Sequence, residues 1–144
     1  MKLRDKEPWM PADEYGRSLR GLSVNLLVRD VAGAVKFQRT VLGAEVVYSD
    51  PDIAVLRACG GEWMLHADHT YLGHPMHGIA ANAEGRGAGL EIRLHGRDPD
   101  AATAAARKAG YTVLAAAADK PHGLREAHII DEDGYVWVAD VASK

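Results

Sequence analysis

Four polar side chains, Asn25, His66, Arg93 and Asp140, interrupt runs of aliphatic residues: Leu26 and Val28, Leu65, Ile92 and Leu94, and Val136 and Val138. Successive side chains of a strand point to opposite sides, so a polar residue in such a run marks the side that is not packed into the core. Polar groups spaced among apolar ones are the pattern of a half-buried ligand cleft. Glu91 lies two residues before Arg93 and shares its side of the strand. A carboxylate and an imidazole facing one pocket could exchange protons with a substrate, because desolvation raises a carboxyl toward neutrality and imidazole already titrates there. The same residues have an inert use. Arg93 would then pair with Glu91 or Asp140 at a wet sheet edge, and His66 would be a satisfied surface histidine.

Other chemistry-bearing residues are less directed. Residues 66 to 77 hold four of the seven histidines, His66, His69, His74 and His77. Gly73 and Pro75 point to a loop, where spacing does not set ligand geometry. Such a segment either folds over a cleft mouth or is a solvated connector. Trp63, Tyr135 and Trp137 alternate at the ends of the two halves and either line a pocket or fill the core. The single cysteine, Cys59, has no basic neighbour to activate it and is expected to be inert.

The elements that must position these residues follow one plan twice. Residues 1–20, with two prolines, Trp9 and Met10, form an arm, and Pro11 followed by Asp13 and Glu14 suits a short helix. From Gly21 a strand over 22–28 leads to Asp30, which caps a helix with apolar residues at Val31, Ala34, Val35, Val41 and Leu42, stopped by Gly43. Strands over 44–49, 53–58 and 62–67 follow, broken at Asp50-Pro51-Asp52 and Gly60-Gly61. The second half has a strand over 89–95, a helix opened by Asp98-Pro99 and closed by Gly110, and strands over 111–115, 124–130 and 135–141. A shift of 68 residues lays Arg29-Asp30 on Arg97-Asp98, Ala34 on Ala102 and Arg39 on Arg107. The expected fold class is α+β, with tandem βαβββ modules forming curved mixed sheets around a cleft. Module 21–67, linker 68–87 and module 88–142 make one domain over 21–144.

Composition narrows the function. The chain has 144 residues, 17 Lys and Arg against 20 Asp and Glu, and no basic run, which argues against nucleic acid as a partner. No apolar stretch is long enough to span a bilayer, and one cysteine fits a reducing compartment, so a cytoplasmic protein without a membrane partner is expected.

Leu27-Val28-Arg29-Asp30-Val31 leading to Phe37 and Val41-Leu42-Gly43, Arg97-Asp98-Pro99 leading to Gly110, and Asp131-Glu132-Asp133-Gly134-Tyr135 together resemble the vicinal oxygen chelate superfamily. This superfamily includes glyoxalase I, extradiol dioxygenases, methylmalonyl-CoA epimerase and the bleomycin and fosfomycin resistance proteins. The resemblance covers about residues 21–141. It implies two curved sheets around a cleft, a dimer, and in metal-dependent branches a divalent ion held by the first and last strands of each module. The places of those ligands fall on Ser23, Met64, Glu91 and Val138. Of these only Glu91 is a credible ligand, and an open catalytic site generally keeps roughly three. The resemblance therefore implies a degenerate metal site.

Three function classes follow for a protein binding a small aromatic or carbonyl-containing molecule. The first is a metal-independent isomerase or lyase, with Glu91 as base, its pKa raised by an apolar cleft, and His66 as acid partner. Asn25, Arg93, Asp140, Met64, Val138 and Trp63 would contact substrate. The second is a non-catalytic protein that sequesters a drug or metabolite. The third is a metal enzyme using His66, Glu91 and Asp140. No cofactor is expected for the first two, and a homodimer is expected for all, because open sheets leave edges and apolar faces uncovered.

Overall fold

The computed structural model describes residues 1–81 and 83–144. The arm carries α1 (Ala12–Ser18). The first module runs β1 (Asn25–Val28), α2 (Val31–Thr40), β2 (Glu45–Ser49), β3 (Ile53–Ala58) and β4 (Gly61–Ala67). A 3-10 turn over Asp68–Tyr71 and α3 (Pro75–Ala80) lead to the second module, β5 (Glu91–His95), α4 (Pro99–Ala109), β6 (Thr112–Asp119), β7 (Leu124–Ile130) and β8 (Val136–Ala142). Each module is one four-stranded mixed sheet, in the orders β1-β4-β3-β2 and β5-β8-β7-β6. In each, the first and last strands pair in parallel and the others antiparallel. The α+β fold of two βαβββ modules is as the sequence pattern requires.

Local chemistry accounts for the helix ends. The Asp30 carboxylate accepts from the Gly33 amide at 3.1 Å, and that of Asp98 accepts from Asp100 and Ala101, satisfying first-turn donors that have no partner in the helix. Gly110 closes α4 at φ 84°, a left-handed conformation that glycine adopts without a Cβ clash. The linker departs from the expected loop, since Pro75 opens α3 and the ring nitrogen of His74 accepts from the Met76 amide. Proline at the first helical position lacks only an amide that is unpaired there anyway.

Helix α2 packs on the first sheet, α4 on the second, and the two helices touch. Leu26, Leu56 and Leu65 from one sheet and Ile129, Trp137 and Ala139 from the other join a single core. Trp63 and Trp137 meet across it at 5.5 Å, with Phe37 beside Trp137 and edge-on to Tyr111 at 4.9 Å. Tyr135 and both tryptophans thus belong to the core side. Because this core lies between the modules, the opposite face of each sheet is an outer face. Strand register puts Asn25, Met64 and His66 on the first outer face, and Glu91, Arg93, Glu126, His128 and Asp140 on the second.

The turn before β8 locks the second module to the linker. Asp131 accepts from the amides of Asp133 and Tyr135 and from the Trp137 indole, while Asp133 accepts from the Arg29 amide. At Gly134, φ 91°, a Cβ would lie 2.7 Å from the Gly85 Cα, so no larger residue fits without moving the linker. Arg86 in turn holds Asp68 through two hydrogen bonds of 2.7 and 2.8 Å.

Candidate functional site

The first outer face is crossed by the arm. Trp9 stacks on Tyr48 at 4.9 Å and meets Tyr15 edge-on at 5.2 Å, and the Tyr15 hydroxyl donates to Glu62. The chain is fastened at Asp52, which is fully buried. Its carboxylate accepts from the Leu3 amide at 2.7 Å, the Arg4 amide at 3.1 Å and the His69 ring at 2.7 Å. Burial alone would raise this carboxyl, but the His69 bond and the two amides outweigh it and hold its pKa at about 2. None of this clasp is evident in the sequence pattern, because its partners are 49, 48 and 17 residues apart.

Beneath the arm lies a hollow of about 430 Å³, walled by Trp9, Met10, Ile53, Met64 and His66 among others. A second hollow of about 530 Å³, between the end of the arm and the start of β1, shares Tyr15, Met64 and His66 with it. His66 is oriented by its neighbours. Asn25 donates through its amide nitrogen to the Tyr71 hydroxyl at 2.8 Å, so its carbonyl oxygen, 2.5 Å from His66 Nδ1, accepts the proton on that nitrogen. This assigns the tautomer and leaves Nε2 with a lone pair and no hydrogen-bond partner among the described residues. Burial lowers the His66 pKa, the nearby Arg4 charge lowers it further, and Asp50 opposes both, so the ring is neutral at physiological pH.

The second outer face is built differently. Arg93 donates to Glu91 at 3.2 Å, to Asp140 at 3.1 Å and to Glu126. Each carboxylate also meets a histidine: Glu91 with His128 at 2.7 Å, Asp140 with His95 at 2.7 Å and Glu126 with His122 at 3.2 Å. The expectation of a raised Glu91 pKa is corrected here. The bond from His128 lowers it, Arg93 adds to this, and partial burial does not compensate. The apolar cleft assumed for Glu91 is replaced by a charged neighbourhood.

His66 and Glu91 therefore do not share polar partners within one chain. Asn25, Met64 and His66 come together on the first face, and Glu91, Arg93 and Asp140 on the second. Val138 is fully buried beneath the second network. Trp63 lines the 530 Å³ hollow, while its indole is buried in the core and donates to Gln38 at 3.1 Å. Arg4, Trp9, Tyr71, Glu126 and His128 also belong to these two faces, beyond the residues that alternation pointed to. Only the last two carried a signal, since they alternate within Leu124–Ile130 on the polar side of that strand.

Among the described residues no three His, Cys, Asp or Glu side chains converge as a metal-ligand set. The donor chemistry at the superfamily's ligand places does not suit a divalent ion either. Met64 and Val138 offer no hard donor, and both oxygens of Glu91 are committed to His128 and Arg93.

The sequence pattern of the Glyoxalase/Bleomycin resistance protein/Dioxygenase superfamily matches residues 22–139. The chain belongs to this superfamily. Solved structures agree on the fold. A glyoxalase/bleomycin resistance protein/dioxygenase family enzyme from Burkholderia phytofirmans PsJN superposes with a TM-score of 0.68 at 16% identity, covering 84% of this chain and 97% of that one. TioX from Micromonospora sp. ML1 gives 0.62 at 22% identity, covering 87% and 98%. The fosfomycin resistance protein FosX from Listeria monocytogenes gives 0.63 at 15% identity, covering 87% and 95%. Comparison with curated protein sequences gives no match. At these identities the superfamily supplies the architecture, and the activity has to be argued from the residues.

Proposed function

We propose that this member of the superfamily binds a compact, ring-bearing organic molecule between its arm and the outer face of the first sheet, and holds it rather than transforming it. The observation that carries this reading is the 430 Å³ hollow with Trp9 and Met10 on one side, Ile53 and Met64 on the other, and the unpaired His66 Nε2 at its wall. Its volume falls within the roughly 300–1,000 Å³ of ligand clefts. Aromatic and thioether walls suit a flat ring, and one neutral acceptor suits a hydroxyl or amide donor on it. Members of the superfamily bind small molecules, and a resistance protein is among the structural neighbours. The engagement of Glu91 with His128 and Arg93 favours holding over base catalysis at that residue.

A second reading, proton transfer with His66 as the base, is favoured by one observation. A neutral imidazole whose tautomer is set by Asn25 has the geometry of a general base. Titration with 2-naphthol, followed by quenching of tryptophan emission and by chromatography of the probe, separates the two. Saturable binding with the probe unchanged after hours supports holding. No saturation at millimolar probe overturns it, and turnover of a carbonyl compound that His66→Gln abolishes moves the assignment to proton transfer.

We further propose a homodimer. The superfamily is often dimeric, and β6, an edge strand of the second sheet, exposes Leu114, with Leu90 exposed just before β5. Sedimentation showing a stable 15.5 kDa monomer at micromolar concentration would overturn this.

A further inference from the structure

The clasp at Asp52 has a consequence for the hollow it closes. Arg4 lines that hollow, and its side chain is only 11% exposed. Its nearest carboxylate oxygen is Asp52 Oδ2 at 3.6 Å, beyond hydrogen-bond length, and that carboxylate already accepts from two amides and His69. Among the described residues the Arg4 guanidinium donates no hydrogen bond. A guanidinium has five N–H donors in a planar fork, so the donors of Arg4 that the ion pair with Asp52 leaves free can meet an acceptor in the hollow. Lys2 also lines the hollow, and none of the lining residues is Asp or Glu.

We infer that the hollow selects an aromatic anion, an aryl carboxylate being the class that fits, with Arg4 as its counter-ion. This rests on the proposed binding of a ring-bearing molecule and narrows it. A carboxylate meets the guanidinium fork through two parallel hydrogen bonds, which an ammonium or an amide does not reproduce. The ring then lies against Trp9 and Met64, and a hydroxyl on it donates to His66 Nε2. The lowered pKa of His66 agrees with a cation close to the hollow, since Arg4 is one of the groups that lower it. The arm thus supplies both a wall of the hollow and the charge that sets its selectivity.

The test compares 6-hydroxy-2-naphthoate with 2-naphthol on the full chain and on Arg4→Gln. The wild-type protein is expected to bind the naphthoate at least about tenfold more tightly at low salt, with the advantage shrinking as salt is raised. Arg4→Gln is expected to remove the advantage while leaving 2-naphthol binding within about twofold. Equal affinities in the wild type, or an advantage that survives Arg4→Gln, overturn the inference and leave the binding reading standing. Binding of neither probe to the wild type overturns both. Should Arg4→Gln release the arm and lose both probes, Arg4→Met, which keeps the apolar stem and the backbone bonds to Asp52, repeats the comparison with the same two outcomes. An advantage unchanged between 20 mM and about 500 mM salt also counts against the inference.

Discussion

The two outer faces carry similar side chains and use them in opposite ways. On the second face, Arg93, three carboxylates and three histidines bond to one another, and Asp140 and Glu126 are almost wholly buried in that network. On the first face the ionisable groups are fewer; His66 Nε2 and the Arg4 guanidinium make no hydrogen bond among the described residues and line a largely apolar hollow, Arg4 being held to Asp52 only by an ion pair at 3.6 Å. A hydrogen-bonding group already satisfied within the protein has little to offer a ligand, whereas a buried unsatisfied one gains most of its bond energy on binding. On the proposed reading the ligand goes to the face whose polar groups stay free beside a hollow, although the second face also keeps one buried nitrogen, His128 Nδ1, without a partner among the described residues.

The largest effect that would sharpen this contrast belongs to Arg93→Met. Removing the cation leaves Glu126 and Asp140 buried with their charges uncompensated, and we expect a loss of about 3–5 kcal/mol in urea denaturation. A loss below 1 kcal/mol would mean that the second face is wetter and freer than its bonds suggest, and the contrast would fail.

Next in size, Asp52→Ala should remove about 1–3 kcal/mol and free the arm, with Trp9 emission shifting to longer wavelength. Acid should do the same to the wild type. The folded pKa of Asp52, about 2, lies below its ordinary 3.8. The clasp therefore contributes fully above the ordinary value and is lost as pH falls from there toward 2. A Trp9 signal that does not change over that interval would break the assignment of Asp52 as the fastening.

His66→Ala should weaken 2-naphthol binding about tenfold, the scale of one buried hydrogen bond, without altering the emission of the free protein. The smallest effect belongs to Glu91→Gln, which should leave that affinity within about twofold because the two faces share no polar partner. A large loss at Glu91 would join the two faces into one site, as a second copy placing its Glu91 opposite His66 would do, and would dissolve the comparison.

Much of the fold was legible in the residues. Strands Ile53–Ala58 and Leu124–Ile130 coincide with their apolar runs, and Asp30, Asp98 and Gly110 cap the helices they should. The site was legible only in part. Alternation identified Asn25, Met64 and His66 as sharing a side of their strands, and it puts Trp63, next to Met64, on the other side. Gly73 and Pro75 suggested a loop where Pro75 in fact starts a helix, since a proline breaks a helix only from its second turn onward.

What the chain by itself determined is local. The period of two along a strand, the caps and the turn residues depend on neighbours within a few positions, so composition and spacing carry them. The tertiary structure decided what stands opposite each face. Packing both helices and both tryptophans into one core turned His66 and Glu91 to different sides of the molecule, and the burial of Asp52 drew Leu3 and Arg4 across 48 or more residues to close the first side. Side-chain alternation gives a direction but no partner. The partner is chosen by which burial satisfies the most hydrogen bonds and covers the most apolar surface at once, a property of the whole chain.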